Sequence, residues 1–346
     1  MIGHRALGTR VSATRQRATT AQEINMTTMQ AAVLTAPGEM TIAEVDLPVP
    51  AAGEVRIRLE GCGVCASNVE PFEGQPWSTF PGAPGGMGHE GWGVVDALGD
   101  NVSTLAAGDR VAFLAGHSFA RYDVAPADMV VKLPPALGDQ PFPGEPLGCA
   151  MNIFRRADIR AGQTVAIIGI GFLGAVLAKL ATNAGARVIA ISRREESLDL
   201  ARRFGAAETV PMHDHWAIIE EVKRLTDEAM CERVIEAVGK QWPLDLATAL
   251  VGFGGRLIVA GYHQDGPRQV NMQEWNWKGI DVVNAHERDP AVQRRGVEEA
   301  IAAVVSGQID LPALLTHRYP LSQVADAILA TRDKPAGFVK ALVTYE

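Results

Sequence analysis

The chain has 346 residues, 47% of them hydrophobic and 21% charged, with a formal net charge of −8 at pH 7. That length exceeds what one small core organises and points to two domains. The acidic balance argues against a nucleic-acid partner, and the lack of an uninterrupted apolar run of about 18 residues argues against a membrane span.

Residues 1–28 are rich in Ser, Thr and Arg, a composition shared with organellar transit peptides. They read as a disordered extension, or as an upstream start with the natural one at Met26 or Met29. A secretory apolar region is missing. From Met29 to about Leu133 the signals are short β runs: QAAVLTA, MTIAEVDLP, EVRIRLEGCG, GWGVVDALG and DRVAFLA, with Gly, Pro or Asp between them. This is the pattern of an irregular, Gly-rich β domain. Within it lie GCGVCASN, with Cys62 and Cys65 three apart, and GMGHEGWG, with His89 and Glu90. The C-x-x-C pair suits a metal site, a redox pair or a buried turn. A zinc ribbon needs a second pair, which is missing, and a thioredoxin-like pair belongs at a helix start in its own βαβ unit.

The pattern changes near residue 150. Pro146 suits the first position of a helix, with Glu145 as its N-cap beside the positive end of the helix dipole. An apolar strand, Val165 to Ile168, then runs into Gly169-Ile170-Gly171-Phe172-Leu173-Gly174 and an amphipathic helix, and a second strand follows from Arg187 to Ile191. In this βαβ context the glycines are a dinucleotide-binding turn. The first permits the tight turn, the second lets backbone approach a pyrophosphate, and the third lets helix pack on strand. Further strands are expected at 233–239, 255–262 and 280–286, giving a doubly wound parallel sheet. The second strand ends at Ser192, where an acidic residue would bind the ribose hydroxyls of NAD, and Arg193 and Arg194 follow. A small hydroxyl with two guanidinium forks suits a 2′-phosphate, hence NADP. The tail from Gly307 reads as strand, helix and strand, too short for a domain and expected to complete the first one.

The motifs GCGVCASN, GMGHEGWGVV, GDRVAF, EPLGCA, VAIIGIGFLG and VIEAVG jointly resemble those of the medium-chain dehydrogenase/reductase superfamily, in its zinc-dependent alcohol and polyol branch, similar to sorbitol and threonine dehydrogenases. The resemblance covers nearly all of Met29 to Glu346. It implies a GroES-like catalytic domain at 29–150, a Rossmann domain at 151–290 and a C-terminal segment at 291–346 completing the first. By the same resemblance Cys65, His89 and Glu145 are ligands of one catalytic zinc, with Glu90 ligating directly or standing just behind the metal. Ser67 passes the proton outward, and Cys149 lines the nicotinamide end of the cleft. Cys62 is a packed residue.

Two departures stand out. No cysteines lie between GDRVAF and FARYDVAPADMVVKLP, so the structural zinc of many relatives is not expected. Asn68 stands where relatives usually carry an Asp that accepts the imidazole N–H, and Glu70 where a proton-relaying His is frequent. Phe72, Trp77 and Asn152 are pocket candidates by position. The expected activity is oxidation of a secondary alcohol on a polyol, sugar or cyclitol with NADP(H), in a cytoplasmic homodimer or homotetramer. The rival readings are a zinc-free reductase of enones or quinones and a non-catalytic binding protein on the same fold.

Overall fold

A computed structural model describes residues 27–345, so most of the N-terminal extension and the possible start at Met26 lie outside the described residues. Strands β1 (Thr28–Ala36) and β2 (Glu39–Asp46) form an antiparallel hairpin. Then come β3 (Glu54–Gly63), the short helix α1 (Val69–Glu73), β4 (Glu90–Leu98), β5 (Arg110–Phe113), β6 (Tyr122–Pro126) and β7 (Val130–Lys132). In β3 the sequence EVRIRL alternates, burying Val55, Ile57 and Leu59 and turning the charged residues outward, as a strand with one buried face must. β6 and β7, only a few residues each, carry no alternation strong enough to read in advance.

Helix α2 (Gly144–Ala157) leads into the second sheet. Its N-cap is Pro143, so Glu145 sits in the first turn and Pro146 a position later, not at N-cap and first position as the sequence suggests. The first three helical positions make no intrahelical N–H bond, so proline is tolerated at any of them. The expected border at 150 therefore falls inside α2. Next follow β8 (Thr164–Ile168), α3 (Phe172–Asn183), β9 (Arg187–Ser192), α4 (Glu195–Arg203), β10 (Glu208–Pro211), α5 (His215–Leu225), β11 (Cys231–Glu236), α6 (Gln241–Leu250), β12 (Val251–Val259), α7 (Met272–Lys278) and β13 (Asp281–Asn284). These strands make a six-stranded parallel sheet in the order β10-β9-β8-β11-β12-β13. Val165 to Ile168 are fully buried, as a central strand covered on both faces requires. Val165, Ile167 and Ile168 each contribute about 1.5–3 kcal/mol of apolar burial.

The chain closes with α8 (Pro290–Val305), β14 (His317–Pro320), α9 (Val324–Asp333) and β15 (Ala341–Thr344). β15 lies antiparallel to β3, and the second large sheet runs β14-β15-β3-β4-β5-β7, with β6 paired to β3. The tail thus returns to the N-terminal sheet and brings Phe338 to Arg194 after β9 and Lys340 to Glu90 of β4. Among the described residues no helix is long and apolar enough to cross a membrane.

Candidate active site

Cys65 follows β3 in extended conformation, at the head of a single 3₁₀ turn, Ala66–Asn68. Its backbone N–H donates to Asn68 Oδ1 at 2.9 Å, and Asn68 Nδ2 donates to the Met87 carbonyl at 2.8 Å. The same carbonyl lies 2.8 Å from His89 Nδ1. Asn68 is therefore not the imidazole's partner, as the sequence suggests; the Met87 backbone is. Met87 holds φ at +71°, a left-handed conformation that costs a residue with a side chain energy and turns its carbonyl toward both neighbours. With Nδ1 donating to Met87, Nε2 is left to face Cys65. This arrangement, set by backbone geometry, carries no signal a sequence reading could use.

Ligand atoms of Cys65, His89 and Glu90 lie within 4.8 Å of one another. Burial disfavours the His89 imidazolium, but the hydrogen bond to Cys65 and the charges of Cys65, Glu145 and Glu90 outweigh it and lift its pKa to about 10. Glu145, from the first turn of α2, lies outside that tight set yet close enough to act on His89. Burial raises its own pKa, and it accepts a hydrogen bond from Cys149 Sγ at 3.1 Å. Burial pushes the Cys149 thiol up, so it stays a protonated donor. Cys62 is fully buried, its thiol bonded to the Gly63 carbonyl.

Glu90 is fully buried. Its Oε1 accepts from Lys340 Nζ at 2.6 Å, and its Oε2 has no partner. A Cβ at Gly63 would stand 1.9 Å from that oxygen, so glycine there is what lets Glu90 approach β3. A buried carboxylate oxygen without a donor is costly, and a cation among these donors removes the cost. Thiolate, imidazole and carboxylate are zinc donors, so the residues present fit that ion. Lys340 precedes β15 and escaped the sequence reading, because its partner is 250 positions away.

The Lys340 ammonium also stands 5.0 Å from the Phe172 ring centroid, which joins the metal-type cluster to the glycine turn. There Gly169 has φ +95°, a Cβ at Gly171 would meet nothing within 4 Å, and one at Gly174 would lie 2.0 Å from the Gly169 carbonyl. Gly171 is the N-cap of α3, and Phe172 and Leu173 open the helix. Its face is open where a pyrophosphate would meet the helix N-terminus.

Ser192 ends β9 and is nearly buried. Arg194 is not a free fork: its Nη1 donates to the Phe338 carbonyl at 2.8 Å. Lys334, at the C-cap of α9, joins the two arginines; burial and then the charges of Arg194 and Arg193 lower its pKa. Three cations thus gather at the end of β9, one of them supplied by the tail. Of the pocket candidates, Phe72 is core, Asn152 is buried and bonded to Arg155, and Trp77 is exposed. Glu70 is held by Gln75 and Lys240, at 2.6 and 2.9 Å.

Residues 51–135 match the family model described as alcohol dehydrogenase GroES-like domain, and residues 170–305 that described as zinc-binding dehydrogenase. An alcohol dehydrogenase of Geobacillus stearothermophilus is 33% identical over 83% of this chain and 91% of its own length. A sorbitol dehydrogenase of Bombyx mori is 27% identical over 88% of this chain and 95% of its own. A zinc-binding dehydrogenase structure from Sinorhizobium meliloti, bound to NADP, superposes with a TM-score of 0.78 at 25% identity, covering 92% of this chain and all of that one.

Proposed function

The chain belongs to the zinc-type alcohol dehydrogenases of the medium-chain dehydrogenase/reductase superfamily, and we propose that it interconverts a secondary alcohol and its ketone on a polyol, sugar or cyclitol, with NADP(H) and a single zinc. The observation that carries this reading is the cluster of half-buried Cys65 and His89 with buried Glu90, with Glu145 beside it and one Glu90 oxygen unpartnered, abutting the glycine turn through Lys340 and Phe172.

When bound, zinc supplies Lewis acidity that acidifies a substrate hydroxyl, and the nicotinamide supplies the hydride acceptor. Cys65 and His89 would hold the ion, with Glu145 and Glu90 as the carboxylate donors at hand. Met87 fixes the His89 tautomer, which sets which ring nitrogen donates its lone pair. Lys340 occupies one oxygen of Glu90 and leaves the other without a protein partner, free to serve the ion. Ser67, two residues past Cys65, takes the proton from the hydroxyl and passes it outward. The open face at Gly171 and the N-terminus of α3 would receive the pyrophosphate, and Cys149 would line the nicotinamide end. Ser192, Arg193 and Lys334 favour a 2′-phosphate over the bare ribose. The polyol class rests on the EPL element and on the sorbitol dehydrogenase likeness.

The test is elemental analysis of protein purified without chelator or affinity metal, beside nucleotide binding. About one zinc per chain, absent from Cys65→Ser and His89→Ala while NADPH still binds, is the expected result. Partners that merely orient a zinc ligand are worth 10–100-fold, so losing a ligand lowers kcat by at least about a hundredfold. No zinc in the wild type, with nucleotide bound, would move the chain to the zinc-free reductases.

A further inference from the structure

Glu70 occupies α1, five residues beyond Cys65, on the N-terminal domain's wall of the cleft. Lys240 is the N-cap of α6 on the opposite wall. It follows Val238 and Gly239, and Val238 lies against Gly169, where an added Cβ would be 2.5 Å from the Val238 side chain. The Lys240 ammonium reaches Glu70 Oε1 at 2.9 Å and Asp265 Oδ2 at 2.8 Å. A second bond crosses nearby: Gln264 Nε2 donates to the Ser67 carbonyl at 3.0 Å. Both crossings leave the segment from Gly261 to Val270 or its ionic partner, and they land on the turn that follows Cys65 and on α1 directly after it.

The three groups are not equivalent. Asp265 belongs to the same domain as Lys240 and is also paired with Arg268, which donates to His263 and to the Gly239 carbonyl. Glu70 is mostly shielded, and its second oxygen accepts from Gln75. Opening the cleft breaks Lys240–Glu70 and leaves Lys240–Asp265 intact. The ammonium is half exposed, so it is never stranded without partner or water. An ion pair of this kind is weak and screened by salt, which suits a contact made and broken in each turnover and not one holding the fold.

We propose that Lys240 is a cleft latch: by bridging Glu70 it holds the two domains closed over the nicotinamide dinucleotide, and breaking that bridge is a step in nucleotide release. Glu70 then does interdomain work where relatives frequently have a proton-relaying histidine. The proposal rests on the reading that the cleft holds this nucleotide.

Two measurements test it. In stopped-flow fluorescence, NADPH should leave Lys240→Met and Glu70→Gln about two- to fivefold faster than wild type at low salt. The double variant should be no faster than either single one. Raising the salt should speed release from wild type and not from the variants. In nucleotide-free protein, backbone hydrogen exchange across Gly261–Val270 should be faster in Lys240→Met. Unchanged release and unchanged exchange overturn the latch. Slower hydride transfer in Glu70→Gln with unchanged release also overturns it, and returns Glu70 to the proton path. A wild type that binds no nicotinamide nucleotide would refute the cofactor reading instead, and the exchange comparison would still decide whether Lys240 holds the domains together.

Discussion

Lys340 and Glu90 meet at 2.6 Å with almost no exposure to solvent. Removing one partner of such a pair leaves an uncompensated buried charge and costs about 3–5 kcal/mol. Lys340→Met should therefore lower the thermal midpoint by several degrees. It should also leave both Glu90 oxygens without a protein donor, so added zinc should restore more stability to the variant than to the wild type. Calorimetry with and without zinc reads both effects; equal shifts in the two proteins would mean that Glu90 does not face the metal. A second residue-scale test concerns the cofactor. A charge-assisted hydrogen bond is worth about 1.5–3 kcal/mol, roughly a tenfold or greater effect on binding. Wild type should have a KM for NADPH at least about tenfold below that for NADH, and Arg193→Ala should lose that factor. Arg194→Ala should lose less, because Arg194 already spends a donor on Phe338. Equal KM values in the wild type would remove the NADP assignment.

At the scale of elements, the glycine turn separates two kinds of requirement. An added methyl at Gly174 meets the Gly169 carbonyl at 2.0 Å, so α3 must shift off β8. Overpacking of this kind costs about 1–3 kcal/mol, and Gly174→Ala should lose thermal stability. Gly171 has ordinary negative φ and open space around it, so Gly171→Ala should fold with an unchanged midpoint and bind NADPH at least about tenfold more weakly, since backbone approach to the pyrophosphate is what it blocks. Calorimetry beside nucleotide titration checks the pair; a Gly171→Ala protein binding NADPH as tightly as wild type would place the pyrophosphate elsewhere. This turn was legible in the sequence because its signals are local: an apolar strand, three glycines and an amphipathic helix in one run. β10 escaped notice because four residues ending in proline carry no periodicity. The start of α2 was misplaced by two positions because Pro143 and Pro146 are both compatible with a helix entry.

For the whole molecule, what stayed hidden is what distant segments bring together. Cys65, His89 and Glu90 could be proposed because each sits in a short motif. Lys340 and Lys334 could not, since the return of the tail to β3 and to the end of β9 decides their neighbours, and neither carries a pattern of its own. Lys240 is the same case, joined to Glu70 across 170 positions. The strand expected at 280–286, by contrast, is present as β13, and it forms one edge of the parallel sheet. Its Val282 is exposed, and Met272 and Trp277 of the adjoining α7 are more so. An edge with unpaired backbone groups beside exposed apolar side chains invites pairing with a second copy, and a two-fold axis closes such a contact without leaving a new edge. We therefore expect two chains per particle, or four, by light scattering coupled to size exclusion. Val282→Lys combined with Trp277→Lys sets like charges against each other across the axis. It should yield a folded particle of half the mass, with NADPH affinity retained because both positions lie away from the glycine turn. A wild type that runs as a single chain would leave that apolar edge for some other partner.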